Sequence, residues 1–264
     1  MLEQLSTSTS SLPGAQLPLV QALLADPSVG PGKVIVALVH GGPLLVDWVR
    51  HHAPTVVDAL EGGQSGGRAL AEVLSGAVAP SGVMPYTTYP SQYLARVRHE
   101  DMSMRAAPGR TYRFYAGPVL WPFGHSLSYT RWALRWSAGS VLPPVTPRAA
   151  LERGVSLSVS VRNVGAVPSA KALLFFVAVS ALRNATFAPP LRSLFAVSKV
   201  HVEPGDTATV TVNSSNVPGL CAFCTVDQHG VAAVRAATYT ITVGDGAASQ
   251  IDPMVTNVGL GLAG

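Results

Sequence analysis

Arg110, Tyr112, Arg113 and Tyr115 interleave guanidinium and phenol groups, and Trp121, Phe123 and His125 follow around a glycine. Aromatic faces stack on the C–H surfaces of sugar rings and guanidinium forks bind oxygens in pairs, so this grouping suits a sugar site. It suits packing between domains equally well, and its place ahead of a Pro-bearing stretch favours packing. Gly62 to Gly67, followed by Arg68 and Ala69, approximates a phosphate loop. Arg stands where that loop needs Lys, and Ala removes the hydroxyl that would hold the metal, so nucleotide binding is not expected. The glycines read instead as a tight strand-to-helix turn whose amides face outward, toward a hydroxyl-rich ligand. Cys221 and Cys224 are the only cysteines. Their C-x-x-C spacing lacks the second pair a zinc ribbon needs and the following helix a redox motif needs. They are either two small residues in a β-rich module or a local disulfide. The seven histidines fall at no metal-ligand spacing, and neither a metal nor a cofactor is expected.

Those groups need a scaffold, and 264 residues are enough for two ordinary domains, each with a core. Only 12% of residues are charged, while 25 Gly and 21 Pro punctuate the chain, which makes it loop-rich but globular. The net charge of +4 is spread along the chain without a basic block, so nucleic acid is not an expected partner. Mean hydropathy is positive at +0.32. The longest apolar run, Ala172 to Val179, is nevertheless far below the roughly 18 residues of a membrane span, and no membrane partner is expected. Residues 1–11 are polar, with no basic start and no apolar stretch, so they do not read as a signal peptide. Asn184 and Asn213 open glycosylation triplets, which matter only in a secreted protein.

Periodicity predicts a helix over Gln16 to Ala25, a buried strand over Val34 to Val39, a helix over Leu44 to His52 and a strand over Thr55 to Leu60. Strands alternating with short helices argue for an α/β layer with a mainly parallel sheet. Ligands in such sheets sit beyond the carboxyl ends of the strands, where both glycine turns fall. Residues 137–153, with Pro143, Pro144 and Pro147, read as a linker. Val155 to Val161 then alternates with period two, and strands are predicted at Ala172 to Val179, Leu194 to Val202, Ala208 to Val212 and Tyr239 to Val243. The expected fold class is α/β plus all-β: a partial α/β layer over residues 1–136, then a β-sandwich over residues 154–264.

Several segments carry a resemblance. Leu12 to Gln16 reads LPGAQ, His40 to Pro43 HGGP, Gly63 to Gly67 GQSGG, Ala71 to Gly76 AEVLSG and Pro80 to Thr87 PSGVMPYT. After them come Asp101 to Arg105 as DMSMR, Pro108 to Tyr115 as PGRTYRFY, and Pro122 to Thr130 as PFGHSLSYT. In this order they resemble the second domain of glycoside hydrolase family three, and DMSMR with PGRTYRFY is similar to its β-xylosidase branch. Val155 to Leu157, Arg162 to Gly165 (RNVG) and Val202 to Gly205 (VEPG) resemble the fibronectin type III-like domain that often ends these enzymes. Three positions depart from the pattern: Val83 stands for an Arg, His40 for a Ser and Ser126 for a common Gly.

The resemblance implies retaining hydrolysis of β-xylosides, which needs two carboxyl groups about 5–5.5 Å apart, a nucleophile and an acid/base. In the family the nucleophile is an Asp on an N-terminal (β/α)8 barrel of about 250 residues. No room for that barrel exists before Leu12, so the chain is expected to be a fragment or split half, inactive by itself. Asp47-Trp48 is similar to part of the family's S-D-W nucleophile triplet, but it follows HGGP in the second domain and is expected to be an ordinary or capping Asp. The acid/base belongs just upstream of LPG, and a gapless match puts it on Glu3, a remnant at a chain end that is rarely held rigidly. Expected partners are xylo-oligosaccharide and the missing barrel domain or a barrel-bearing chain. Family members are often extracellular. The competing function is a non-catalytic carbohydrate-binding or assembly protein.

Overall fold

The computed structural model describes residues 12–258 apart from 99, 139, 141, 144, 183–187, 215–220, 228 and 245–253. Glu3 and the triplet at Asn184 lie outside the described residues. The chain divides into two compact units, one made of residues up to Val78 with Pro85–Thr111 and Ala116–Phe123, the other of Ala79–Met84, Tyr112–Tyr115 and everything from Gly124.

In the first unit, helix α1 (Gln16–Ala25), strand β1 (Ile35–Leu38), helix α2 (Asp47–His52), strand β2 (Thr55–Asp58) and helix α3 (Gly66–Leu74) follow in order. Strands β1 and β2 pair in parallel with Leu38 opposite Asp58. The core holds Leu12, Val34, Val36, Leu38, Val46 and Val49, with Leu17, Val20 and Leu24 of α1 packed on it. Where a strand buried throughout was expected, β1 buries alternate residues, and Ile35 on its other face is 48% exposed. The helix predicted from Leu44 begins at Asp47, where a carboxylate in the first turn complements the helix dipole. Gly62 makes the following turn possible: a Cβ there would meet the Gly66 Cα at 2.6 Å.

The second unit is β-rich. Strand β3 (Trp132–Trp136), β4 (Ser156–Asn163) and β7 (Thr207–Asn213) form one antiparallel sheet in the order β3-β4-β7. The other sheet has the order β11-β10-β5-β6, built from β5 (Ser169–Ser180), β6 (Ser193–Val202), β10 (Ala237–Gly244) and β11 (Met254–Val258). A hairpin of β8 (Thr225–Val226) and β9 (Ala232–Ala233) lies between them in sequence. Every second residue of β4 is buried, and Val159 and Val161 share one cluster with Leu173 and Phe175 of β5 and Val243 of β10. Each such side chain, fully withdrawn from water, contributes about 1.5–3 kcal/mol. The long apolar run of β5 fits a strand flanked on both sides, since β10 and β6 pair with it.

Two of the expected boundaries differ. Trp132–Trp136 pairs with β4, so this stretch of the expected α/β domain belongs to the β-rich unit. The expected linker over 137–153 contains helix α5 (Arg148–Arg153), whose Leu151 is 1% exposed within the core beside Leu157 and Tyr239. Ser140 fastens the same segment, its hydroxyl accepting from the Ser158 amide at 2.7 Å and donating to the Ser158 carbonyl at 3.0 Å. Prolines marked a break in periodicity, but side-chain burial ties the segment down.

Candidate functional site

The carboxyl edge of the parallel pair gathers His40, Asp58 and Tyr86. Asp58 ends β2 opposite Leu38, the last residue of β1, and His40 follows two residues later, so the parallel register brings both to the same edge. The His40 Nε2 lies 3.2 Å from Asp58 Oδ1, and the Tyr86 hydroxyl donates to Asp58 Oδ2 at 2.7 Å. Asp58 Oδ1 also accepts from the Leu60 amide at 3.2 Å, where Leu60 takes a positive φ of 48°. His40 Nδ1 contacts the Gly42 carbonyl. With only 7% of the His40 side chain and 17% of the Asp58 side chain exposed, the pair is largely withdrawn from water.

Both ring nitrogens of His40 face oxygen acceptors, because the single Tyr86 proton is used on Asp58. Burial pushes the Tyr86 hydroxyl well above its ordinary range, and the hydrogen bond to Asp58 adds to the effect. Asp58 is thus engaged on both oxygens. The cluster binds the HGGP turn, the end of β2 and the segment around Tyr86 at the edge where α/β sheets present ligands.

Asp47 is also engaged. Its carboxylate accepts from the Ser91 amide at 2.9 and 3.1 Å and from the Ser91 hydroxyl at 3.3 Å, holding the start of the short helix α4 (Ser91–Leu94). Arg68 of the glycine turn pairs with Glu72 at 2.8 Å, four residues along the same helix.

The guanidinium and aromatic run serves the scaffold. Arg110 laces the DMSMR loop, donating to the carbonyls of Arg98 at 2.9 Å and Ser103 at 3.1 Å and to that of Asp101. The Tyr93 hydroxyl donates to the Gly109 carbonyl at 2.9 Å, and the Thr111 amide donates to the Tyr89 hydroxyl at 2.6 Å. In the β-rich unit, the Tyr112 ring meets buried Phe176 edge to face at 5.6 Å, and its hydroxyl accepts from the Leu194 amide. Arg192 lies 4.6 Å over Phe176, and burial lowers the guanidinium below its ordinary range. The His125 carbonyl accepts from the Met84 amide at 2.8 Å.

Cys221 and Cys224 form a disulfide, the second of the two readings left open by their spacing. Among the described residues no group of three His, Cys, Asp or Glu is arranged to hold a metal, and no helix is long and apolar enough to cross a membrane. Sequence reasoning noted His40 only as a departure from the family pattern, and it missed Asp58 and Tyr86. The available signal was a lone charge closing the apolar run of β2, at the carboxyl end of a predicted parallel strand.

Residues 2–129 match the glycosyl hydrolase family 3 C-terminal domain. A probable exo-1,4-beta-xylosidase from Aspergillus clavatus is 31% identical over 259 residues, covering 91% of this chain and 32% of that protein. Beta-D-xylosidase 1 from Arabidopsis thaliana is 46% identical over 124 residues, 45% of this chain and 16% of that protein. The chain therefore spans a third or less of the length of these relatives. A solved family 3 exo-beta-xylosidase, in complex with a xylobiose aziridine activity-based probe, has a TM-score of 0.80 at 22% identity, covering 96% of this chain and 33% of that one. A beta-glucosidase from Listeria innocua in complex with glucose has a TM-score of 0.73 at 22% identity, covering 96% of this chain and 34% of that one. The matched domain, the relatives and the shared fold together place the chain in glycosyl hydrolase family 3, as the counterpart of the C-terminal part of its β-xylosidase-like members.

Proposed function

We propose that this chain is the C-terminal part of a β-xylosidase-type glycoside hydrolase acting on β-linked xylosides in xylan breakdown. The observation that carries the reading is the alignment of 91% of the chain, at 31% identity, with a probable exo-1,4-beta-xylosidase. The DMSMR and PGRTYRFY segments support xylose as the sugar. On this reading residues 154–264 form a fibronectin type III-like β-sandwich. In support, the buried Tyr239 hydroxyl donates to the Arg235 carbonyl at 2.8 Å, four residues upstream, the type of corner that such sandwiches use.

Two carboxyl groups must flank the scissile bond. Asp47 and Asp58 are engaged by structural partners, which disfavours either as nucleophile. The nucleophile on this reading comes from a barrel outside these 264 residues, and Glu3 is the proposed remnant of the acid/base. Incubation of the purified chain with 4-nitrophenyl β-xyloside is expected to release no nitrophenol above buffer, and addition of a barrel-bearing polypeptide is expected to restore release. Turnover by the chain alone, abolished by Glu3→Gln or Asp58→Asn, would overturn the division of labour proposed here.

A further inference from the structure

The outer face of the β3-β4-β7 sheet carries two arginines with no carboxylate to answer them. Leu134 pairs with Val161 and Val159 with Val210, and all four side chains enter the core. The alternate residues Arg135, Ser160, Arg162, Thr207 and Thr209 therefore project to the opposite face, where both arginines are exposed. Arg135 stands opposite Ser160, with Thr209 on the next strand, while Arg162 stands between Ala133 and Thr207. That register makes the two arginines diagonal neighbours, about 7–8 Å apart at the backbone and within one another's reach. Among the described residues neither guanidinium has an ion pair or a hydrogen bond, and the three strands contain no Asp or Glu. The turn leading to β7 holds Glu203, engaged by His201 at 3.1 Å, and Asp206, which pairs with neither arginine.

Two like charges side by side on a sheet repel one another, and anionic groups from outside relieve that repulsion. The rest of the face decides what kind of partner bears them. It offers no large apolar side chain to enter a lipid surface and no aromatic ring to stack on a base. Its serine and threonine hydroxyls both donate and accept, which suits a partner that carries hydroxyls as well as acid groups. We propose that this face binds an acidic polysaccharide, a polyuronate, with carboxylates on Arg135 and Arg162 and sugar hydroxyls on Ser160, Thr207 and Thr209. Such a surface holds the chain on a polymer and is independent of bond cleavage.

Binding of the full chain to immobilised polygalacturonate at about 0.1 M ionic strength, where charges more than about 10 Å away are screened, tests the assignment. The chain is expected to be retained and to be displaced by soluble polygalacturonate. Xylan and duplex DNA are expected to displace it at least about tenfold less well, because xylan lacks the acid groups and duplex DNA the free sugar hydroxyls. Arg135→Gln/Arg162→Gln is expected to weaken binding by about tenfold or more. Arg68→Gln/Arg98→Gln, which removes the same net charge at two side chains that are each 84% exposed elsewhere, is expected to leave it within about twofold. Ser160→Glu gives both arginines a carboxylate of their own and is expected to abolish binding, with a melting curve confirming that each variant is folded. No retention, equal displacement by xylan or DNA, undiminished binding in either folded variant of the face, or an equal loss in Arg68→Gln/Arg98→Gln would overturn the proposal.

Discussion

Asp58 is the residue on which the carboxyl edge of β1 and β2 depends, since His40, Tyr86 and the Leu60 amide all converge on one carboxylate. A charged hydrogen bond in a half-buried setting contributes about 1–2 kcal/mol, less than a fully buried one because water screens it. Tyr86→Phe is therefore expected to lower unfolding stability by about that amount at neutral pH. The pH dependence has a definite direction. Tyr86 is held neutral in the folded chain above its ordinary value near 10, so the unfolded tyrosine gives up its proton first. Its contribution is complete below about pH 10 and is lost as pH rises through the higher folded value. Buried Tyr239 is shifted the same way by burial, so the decisive readout is a difference. Urea unfolding of the native chain and Tyr86→Phe at pH 8 and above pH 10 should show the gap between them narrowing with pH, and a gap that widens would refute this account. Asn163 shows the same logic in full burial. Its amide donates to the Val167 and Val202 carbonyls at 2.8 and 3.0 Å, and its oxygen accepts from Thr130 at 2.5 Å and from the Gly165 amide at 3.1 Å. Gly165 is required beside it, because a Cβ would stand 2.2 Å from the Thr130 hydroxyl oxygen.

Among the elements, the turn carrying the disulfide is the most exposed to chemical test. Cys221 and Cys224 bracket Phe223, which is 1% exposed and meets Tyr239 edge to face at 5.8 Å. Closing so short a loop removes little chain entropy from the unfolded state, and the loop-length relation gives about 2 kcal/mol. Reduction, or replacement of both cysteines by Ala, is expected to lower stability by that amount, and thiol titration of the unreduced, denatured chain should find no free thiol. Two reactive thiols in that titration would remove the disulfide from the structure. The neighbouring hairpin is set by Asp227, whose carboxylate accepts from the His229 and Val231 amides at 2.9 and 3.0 Å. Those amides hold the carboxyl below its ordinary range. Helix α5 shows how an element arises without a strong local signal. Six residues are too few for a helix to persist on propensity alone, and Leu151 anchors this one by entering the core.

At the scale of the molecule, each unit has its own core and its own reporters. Trp48 and Trp121 lie in the first unit, Trp132 and Trp136 in the second. The first unit's described cluster has six buried residues around a two-stranded sheet, whereas the second has two clusters of eight between larger sheets. Urea unfolding of Trp132→Phe/Trp136→Phe is thus expected to show an earlier midpoint than unfolding of Trp48→Phe/Trp121→Phe. Coincident midpoints would mean that the two cores unfold as one. Much of this organisation is legible along the chain. The alternation of β4, the apolar run of β5 and the helical spacing of α1 are local patterns: burial repeats with the element's own period in β4 and α1, and runs unbroken in β5 because strands pair with it on both sides. The ordered motifs likewise placed the chain in its family. Other features were decided only by tertiary structure. Trp132–Trp136 joined the β-rich unit because β4 offered it an edge, and within the expected linker Arg148–Arg153 became a helix because Leu151 entered the core, while Ser140 paired with Ser158. The His40–Asp58–Tyr86 cluster joins residues 18 to 46 positions apart. Local sequence specifies what each segment prefers to bury, but which distant polar groups meet depends on how those segments pack, and that is settled only when the chain closes on itself.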